Sequence, residues 1–245
     1  MLYHAWDSLI HSLPDPGTIL ILGPPFLLFT ILAAFLAGRL RVKKNIATSY
    51  TRKIFHFFIF SAAGAIHLLA GLPEVVLFGS IVCTCVLYAV FRGEGFAFYE
   101  AMARPQDSPY RTFFILLPML TTLLGGALSN LLFGRLALVG YFVCGWGDAL
   151  GEPVGARWGR HRYRVPSLLG VPATRSREGS ASVWLAGTVV AFLSIWAAGY
   201  PVPVSLGAAL ACGTVGAATE AVSTHGLDNL TIQVAAAGTA WFLLS

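Results

Sequence analysis

Apolar runs of membrane length recur along the chain, parted by short polar segments. Read as helices, they predict eight spans, at 17–38, 54–70, 75–91, 112–128, 131–147, 183–199, 202–218 and 229–245. A helix needs about 20 residues to cross ~30 Å of hydrocarbon. The shorter runs therefore imply tilt or local thinning. The pattern predicts an all-α, polytopic integral-membrane bundle of about eight (7–9) transmembrane helices. Residues 1–245 form one transmembrane domain in this reading. The composition agrees: 56% of the residues are hydrophobic and 11% charged. No cleavable signal peptide is expected, because the segment before the first run has no Lys or Arg. Cys83, Cys85, Cys144 and Cys212 fall in or beside the runs. They read as small packing residues, not as a disulfide framework or zinc site.

The polar segments sort by charge. Arg39, Arg41, Lys43, Lys44, Arg52 and Lys53 follow the first run. Arg92, Arg104 and Arg111 follow the third, and Arg157, Arg160, Arg162, Arg164, Arg175 and Arg177 follow the fifth. Only Arg135 among the basic residues lies elsewhere. The positive-inside rule then predicts an outside N-terminus and places these three segments in the cytoplasm. Segment 219–228 falls on that side too. The net charge of +5 suits anionic membrane lipids. Nucleic acid is excluded as a partner, since no soluble domain is left to carry it.

Simple charge bias does not explain the segment from Gly145 to Ser180, where Asp148, Glu152 and Glu178 sit among six arginines. Intramembrane or interfacial charge is expensive and points to function. Asp148 and Glu152 are four residues apart, on one face of a helix. Two such carboxylates suit Mg²⁺ bridged to phosphates. Pro153 predicts a helix break near 148–153, with a helix N-terminus facing the ligand. Arg157 and Arg160 offer forked donors for phosphate oxygens. Residues 165–173 read as an irregular loop. Ser176 or Ser180 could cap the next helix, with Glu178 in its first turn. Arg52 and His56 share a helix face beside Lys53. Asp228 and Asn229 suit either a helix cap or a ligand. Glu220, after a run of small residues, needs a cation or base partner.

These blocks resemble a known family. Gly147-Asp148-Ala149 with Gly155-Ala156-Arg157-Trp158-Gly159, paired with Ser176-Arg177-Glu178-Gly179-Ser180, look like the CTP-dependent polyprenol kinases: dolichol kinase, phytol kinase and CTP-dependent diacylglycerol kinase. The CDP-diacylglycerol synthases carry a related version. Arg52-Lys53-Ile54-Phe55-His56 and Glu220 … Asp228-Asn229-Leu230-Thr231 are similar to blocks of the kinase side. Departures include Glu152-Pro153, Arg160 in place of Lys, and Arg175 and Arg177 in place of the lysines of the synthase pattern.

The resemblance implies a membrane kinase that transfers the γ-phosphoryl of a nucleoside triphosphate, CTP by family, to the hydroxyl of a polyprenol, phytol-like or other isoprenoid lipid alcohol. Its catalytic loop would be cytoplasmic, about 147–182. Asp148 or Glu220 would orient the hydroxyl. Asp148, Glu152 and Asp228 would hold the Mg²⁺ cofactor. Arg52, Lys53, His56, Gly155, Arg157, Gly159, Arg160, Arg175, Ser176, Arg177, Glu178, Gly179 and Asn229 would bind the nucleotide and its phosphates. Two other readings stay open: a phosphatidate cytidylyltransferase making a CDP-lipid, and a non-catalytic lipid transporter. The sequence leaves room for a homodimer.

Overall fold

A computed structural model describes residues 13–245; the tail containing Asp7 lies outside them. In chain order the helices are α1 (Pro16–Lys44), α2 (Thr48–Leu69), α3 (Leu72–Arg92), the short α4 (Ala97–Met102), α5 (Phe113–Phe133), α6 (Ala137–Phe142), α7 (Ala149–Trp158), α8 (Arg177–Ala197), α9 (Val202–Val222) and α10 (Asp228–Leu244). Among the described residues, six helical segments are long and apolar enough to cross a membrane. One is the 46-residue run Phe113–Trp158, which contains two of the expected spans. Lipid-facing positions such as Leu20, Ile21, Phe35, Phe91 and Phe242 keep large apolar side chains on the outside, as a hydrocarbon solvent allows.

The helix ends follow local chemistry. Asp15 caps α1 by accepting from the backbone N–H groups of Gly17 and Thr18 at 2.8 and 3.1 Å. Asn45, left-handed at φ 48°, ends it. Small residues decide the packing. A side chain at Gly38 would meet the Ala97 backbone at 3.1 Å, so α1 and α4 touch closely. Gly125 and Gly140 let the α5 and α6 backbones approach α10 at Asn229–Gln233. One buried cluster joins α1, α2, α3, α4 and α5 around Phe78 and Phe98. A second joins α2, α6, α8, α9 and α10 around Val143 and Ile195. All four cysteines described are free, with Cys144 and Cys212 buried.

One expectation needs correction. The helix does not break at 148–153. It continues through Pro153, and the irregularity sits upstream as a π-helical turn at Val143–Asp148. Gly145 and Gly147 permit this turn to press on Phe60 and Val183, where a β-carbon would collide. No helix N-terminus therefore faces a ligand there. Residues 166–172 are the irregular connection expected over 165–173, and it joins two short strands. Strands β1 (Arg162–Val165) and β2 (Ala173–Ser176) pair antiparallel, Arg162 opposite Ser176 and Val165 opposite Ala173. Arg-Tyr-Arg-Val alternates between exposed and more buried positions, ending on buried Val165. Leu169 and Gly170, both at positive φ, close the connection.

Candidate active site

The connections 45–47, 93–112, 159–176 and 223–227 meet at one end of the bundle. Thr51 donates to the Ala101 carbonyl, and the His225 N–H to the Pro166 carbonyl. Arg104 reaches both Asp107 and Glu152. Between them lies a polar cavity of ≈ 410 Å³. Arg41, Arg52, Lys53, Arg104, Arg162 and Arg175 line it, against Asp148, Glu152, Glu220 and Asp228. Cations thus exceed carboxylates, which suits an anionic ligand.

Two ionic clusters organise this cavity. In the first, Lys53 Nζ donates to Asp148 at 2.6 Å and lies 3.5 Å from Glu152. Arg52 and Arg104 approach the same Glu152 at 3.4 and 3.5 Å. The π turn carries Asp148 to this point from the end of α6, while α2 carries Arg52 and Lys53. In the second, Arg175 on β2 lies 2.7 Å from Glu220 and donates to Asp228 at 3.0 Å. Burial opposes the Arg175 charge, but Glu220 and then Asp228 hold its pKa above the usual value. Among the described residues, Arg52 Nη1 is a buried donor with no hydrogen-bond acceptor, whereas Arg175 Nη1 already faces Glu220. Buried donors are normally satisfied, so Arg52 Nη1 is suited to a phosphate oxygen.

A second, mostly apolar cleft of ≈ 410 Å³ runs between α2, α3, α5 and α10. Its lining includes Phe55, Ile59, Val75, Gly79, Met119 and Leu123. Arg52, Lys53, Asp148 and Asp228 border both spaces. The polar and apolar chambers therefore meet at the Lys53–Asp148 pair.

The structure brings together Arg52, Lys53, Asp148, Glu152, Gly155, Arg175, Ser176, Gly179, Glu220 and Asp228 at the polar cavity. His56 and Asn229 line the apolar cleft instead. His56 is 3.5 Å from Asp148 and stacks on Phe60. Asn229 donates to Thr122 at 2.8 Å, and Asp228 does not cap α10 but faces Arg175. Arg157, Arg160 and Arg177 are exposed and line neither chamber, Arg157 lying over Trp158. Glu178 accepts from His161 on the outer side of the hairpin. Gly159 also lies off the cavity; there a β-carbon would press on Ser176. Ser176 caps α8 through the Gly179 N–H at 3.0 Å, as expected for a Ser before a helix.

Arg104, Gln106, Arg162 and His225 complete the lining without having been singled out. Arg104 was visible only as part of a charge bias. Its placement depends on α4, which Arg111 ties down through Glu94, Glu100 and the Ala103 carbonyl. His225 stacks on Phe114 and contacts Arg104 through Nε2. Burial first, then the Arg104 charge, keeps its pKa well below the ordinary histidine value.

Among the described residues, no group of three or more His, Cys, Asp or Glu converges as a ready metal site. The carboxylates at the cavity each face a basic group. Asp148 and Asp228, at the border of both chambers, are the hard oxygen donors a Mg²⁺–phosphate unit would use.

No protein-family model matches the chain, and no solved structure matches it. A curated protein does: a phytol kinase from Synechocystis sp. (strain ATCC 27184 / PCC 6803 / Kazusa), 39% identical over 124 residues. The match spans about half of each protein, 49% of this chain and 49% of the relative. Over that half the chain is similar to a phytol kinase, which supports the kinship with polyprenol and phytol kinases that its motifs imply.

Proposed function

We propose that this protein is a membrane lipid-alcohol kinase, transferring the γ-phosphoryl of a nucleoside triphosphate to an isoprenoid or similar lipid alcohol. The observation that carries the reading is the meeting of a cationic chamber and an apolar cleft at Lys53, Asp148 and Asp228. A nucleotide and a lipid must share one point to react, and these two spaces share one. CTP is the donor by the family resemblance. The charged end is cytoplasmic by its Arg and Lys content.

In this mechanism Arg52 binds a phosphate oxygen through its unsatisfied Nη1, and Arg175, held by Glu220 and Asp228, adds positive charge beside the phosphates. The lipid tail lies in the cleft and its hydroxyl reaches Asp148. The hydroxyl oxygen attacks the γ-phosphorus, and the bond from that phosphorus to the bridging β-oxygen breaks. Asp148 orients the hydroxyl and accepts its proton, with His56 held 3.5 Å away on the lipid side. Lys53 holds Asp148 in place through its 2.6 Å hydrogen bond. Glu220 acts as the partner that positions Arg175, since it lines the polar chamber and not the cleft. Mg²⁺ bound with the triphosphate, on Asp148 and Asp228, would supply charge neutralisation at the phosphates. The products are a lipid monophosphate and a nucleoside diphosphate.

The test uses purified protein with CTP labelled at the α or γ phosphate and mixed lipid alcohols and phosphatidate as acceptors. Label from γ in the lipid supports the kinase. Label from α would make the protein a cytidylyltransferase. Label from neither, with UTP and ATP equally inert, would overturn the enzyme reading in favour of transport.

A further inference from the structure

We infer that Tyr163 is a positioning residue for the transfer: it acts through Ser180 and Glu220 on Arg175, the cation that stands beside Asp228. This rests on the lipid-kinase reading and adds to it a residue outside every motif that the sequence offered.

The hairpin sets the geometry. Tyr163 on β1 lies opposite Arg175 on β2. Directly opposed residues of an antiparallel pair project from the same face, so both side chains leave the hairpin on one side. There they converge on one carboxylate. Arg175 Nη1 lies 2.7 Å from Glu220 Oε1. Ser180 Oγ donates to Glu220 Oε2 at 3.3 Å. The Tyr163 and Ser180 hydroxyl oxygens are 2.7 Å apart. Arg175 Nη2 continues to Asp228 at 3.0 Å. Tyr163, Ser180, Glu220, Arg175 and Asp228 thus form one unbroken chain.

The protons give this chain a direction. A serine hydroxyl has one proton, and a carboxylate paired with arginine only accepts. The Ser180 proton is committed to Glu220, so Tyr163 is the donor to Ser180. Ser180 is free for this task because Ser176 caps α8 in its place. Both oxygens of Glu220 are then engaged, one by Ser180 and one by Arg175. That fixes the rotation of the carboxylate and, with it, the plane of the guanidinium.

Arg175 needs such a fixture. It comes from a four-residue strand and not from a helix of the bundle. Backbone hydrogen bonds tie the hairpin at two other points: the Arg177 N–H to the His161 carbonyl at 3.0 Å, and the His225 N–H to the Pro166 carbonyl at 3.3 Å. The Tyr163–Ser180 bond is the side-chain tie on the face that carries Arg175. The Arg175 and Glu220 side chains are only 10% and 8% exposed. Water has little access to replace a lost link, so a displacement at Tyr163 passes on to Arg175.

The experiment compares Tyr163→Phe, Ser180→Ala, Arg175→Lys and the double variants in the full membrane protein. Phe keeps the ring and removes only the hydroxyl, so the melting temperature should stay near that of the parent. The kcat/KM for CTP should fall roughly fivefold, as for the loss of one hydrogen bond, with the lipid-alcohol KM unchanged. Equilibrium binding of CTP with Mg²⁺, and with no acceptor present, should weaken by a similar factor. In the Ser180→Ala or Arg175→Lys background, Tyr163→Phe should add little further, because the chain is already broken. A tyrosine that only packs the hairpin behaves differently. Phe would then leave both readouts at the parent values, or its loss would multiply in full with that of Arg175→Lys. Either result would overturn the assignment, as would a loss of CTP binding that merely tracks a falling melting temperature. Weakened CTP binding in Tyr163→Phe, with no γ-phosphoryl transfer by the parent, would instead fault the kinase reading and leave Tyr163 as the residue that positions Arg175.

Discussion

At the residue scale the molecule is decided by Lys53 and Asp148. Their side chains are 5% and 8% exposed, in a protein with few charges. Buried pairs seldom repay their desolvation, and removing one partner leaves a costly lone charge. In the proposed mechanism the pair serves the chemistry, not the stability of the fold. Asp148→Asn should cut turnover on the order of 10²–10³-fold, as loss of a preorganised electrostatic group does, and should also lower thermal stability. The two effects separate in a double variant. Lys53→Met combined with Asp148→Asn removes the stranded ammonium, so stability should recover while activity stays lost. Melting curves and turnover on the same preparations check this; recovered activity would remove both residues from the reaction. Arg52 makes a different case. Its Nη2 meets Glu152 while Nη1 has no acceptor among the described residues. Arg52→Ala should raise the apparent nucleotide KM at least several-fold with the lipid KM unchanged. Arg52→Lys should restore only part, because the fork is lost. Full activity in well-folded Arg52→Ala protein would leave this arginine a topological anchor only.

At the scale of elements, the π turn and the hairpin do the positioning. The turn inserts an extra residue between α6 and α7, which aims Asp148 at α2, a common use of such turns. The sequence carried its signature in Gly145 and Gly147, but glycine there fits a ligand cradle equally well. Only the backbone contact with Phe60 separates the two uses. The same ambiguity applied to Gly155 and Gly179, which are tight packing points of α7 against α8 as well as cavity lining. Asp148, Glu152, Arg175 and Glu220 were legible because charges are so rare here. Arg157, Arg160 and Arg177 were legible as bases but not as outward-facing, since they lie at the end of α7, in the connection before β1 and at the start of α8, where no residue period fixes a side chain's direction. The loop 223–227 adds a pH dependence. His225 is held neutral in the fold, its pKa depressed by burial and by Arg104. The unfolded chain binds a proton below about pH 6.5, and the native loop does not until far lower pH. The loop's contribution to stability is therefore full above about pH 6.5 and is lost as pH falls below it. A His225→Gln protein should show a flatter stability curve between about pH 7 and 5 than the parent. Parallel curves would show that His225 is protonated at no cost in the fold.

At the scale of the whole molecule, the apolar periodicity carries almost the entire plan, because each span is specified by its own composition. What it could not carry is depth. Nothing in the sequence told that the cleft between α2, α3, α5 and α10 would open onto the same carboxylate as the polar chamber, since those walls are drawn from positions as distant in the chain as Arg52 and Gln233. That convergence makes sidedness the decisive whole-molecule property. Loops 45–47, 93–112, 159–176 and 223–227 meet at one end, so one membrane face must hold all of them. By their arginines and lysines it should be the face that holds nucleotides. A single cysteine at Arg164, an exposed position on β1, reports on this in a background lacking the native thiols. An impermeant thiol reagent should fail to label it in intact cells and label it fully once the inner face is exposed, as in inverted vesicles. A second cysteine at Leu69, exposed where α2 ends at the opposite face, should show the reverse pattern. If Arg164→Cys were labelled from outside while Leu69→Cys were protected, the cationic chamber would open away from the cell's nucleotides. The donor could then not be a cytosolic triphosphate, whatever the geometry of Arg52 and Arg175.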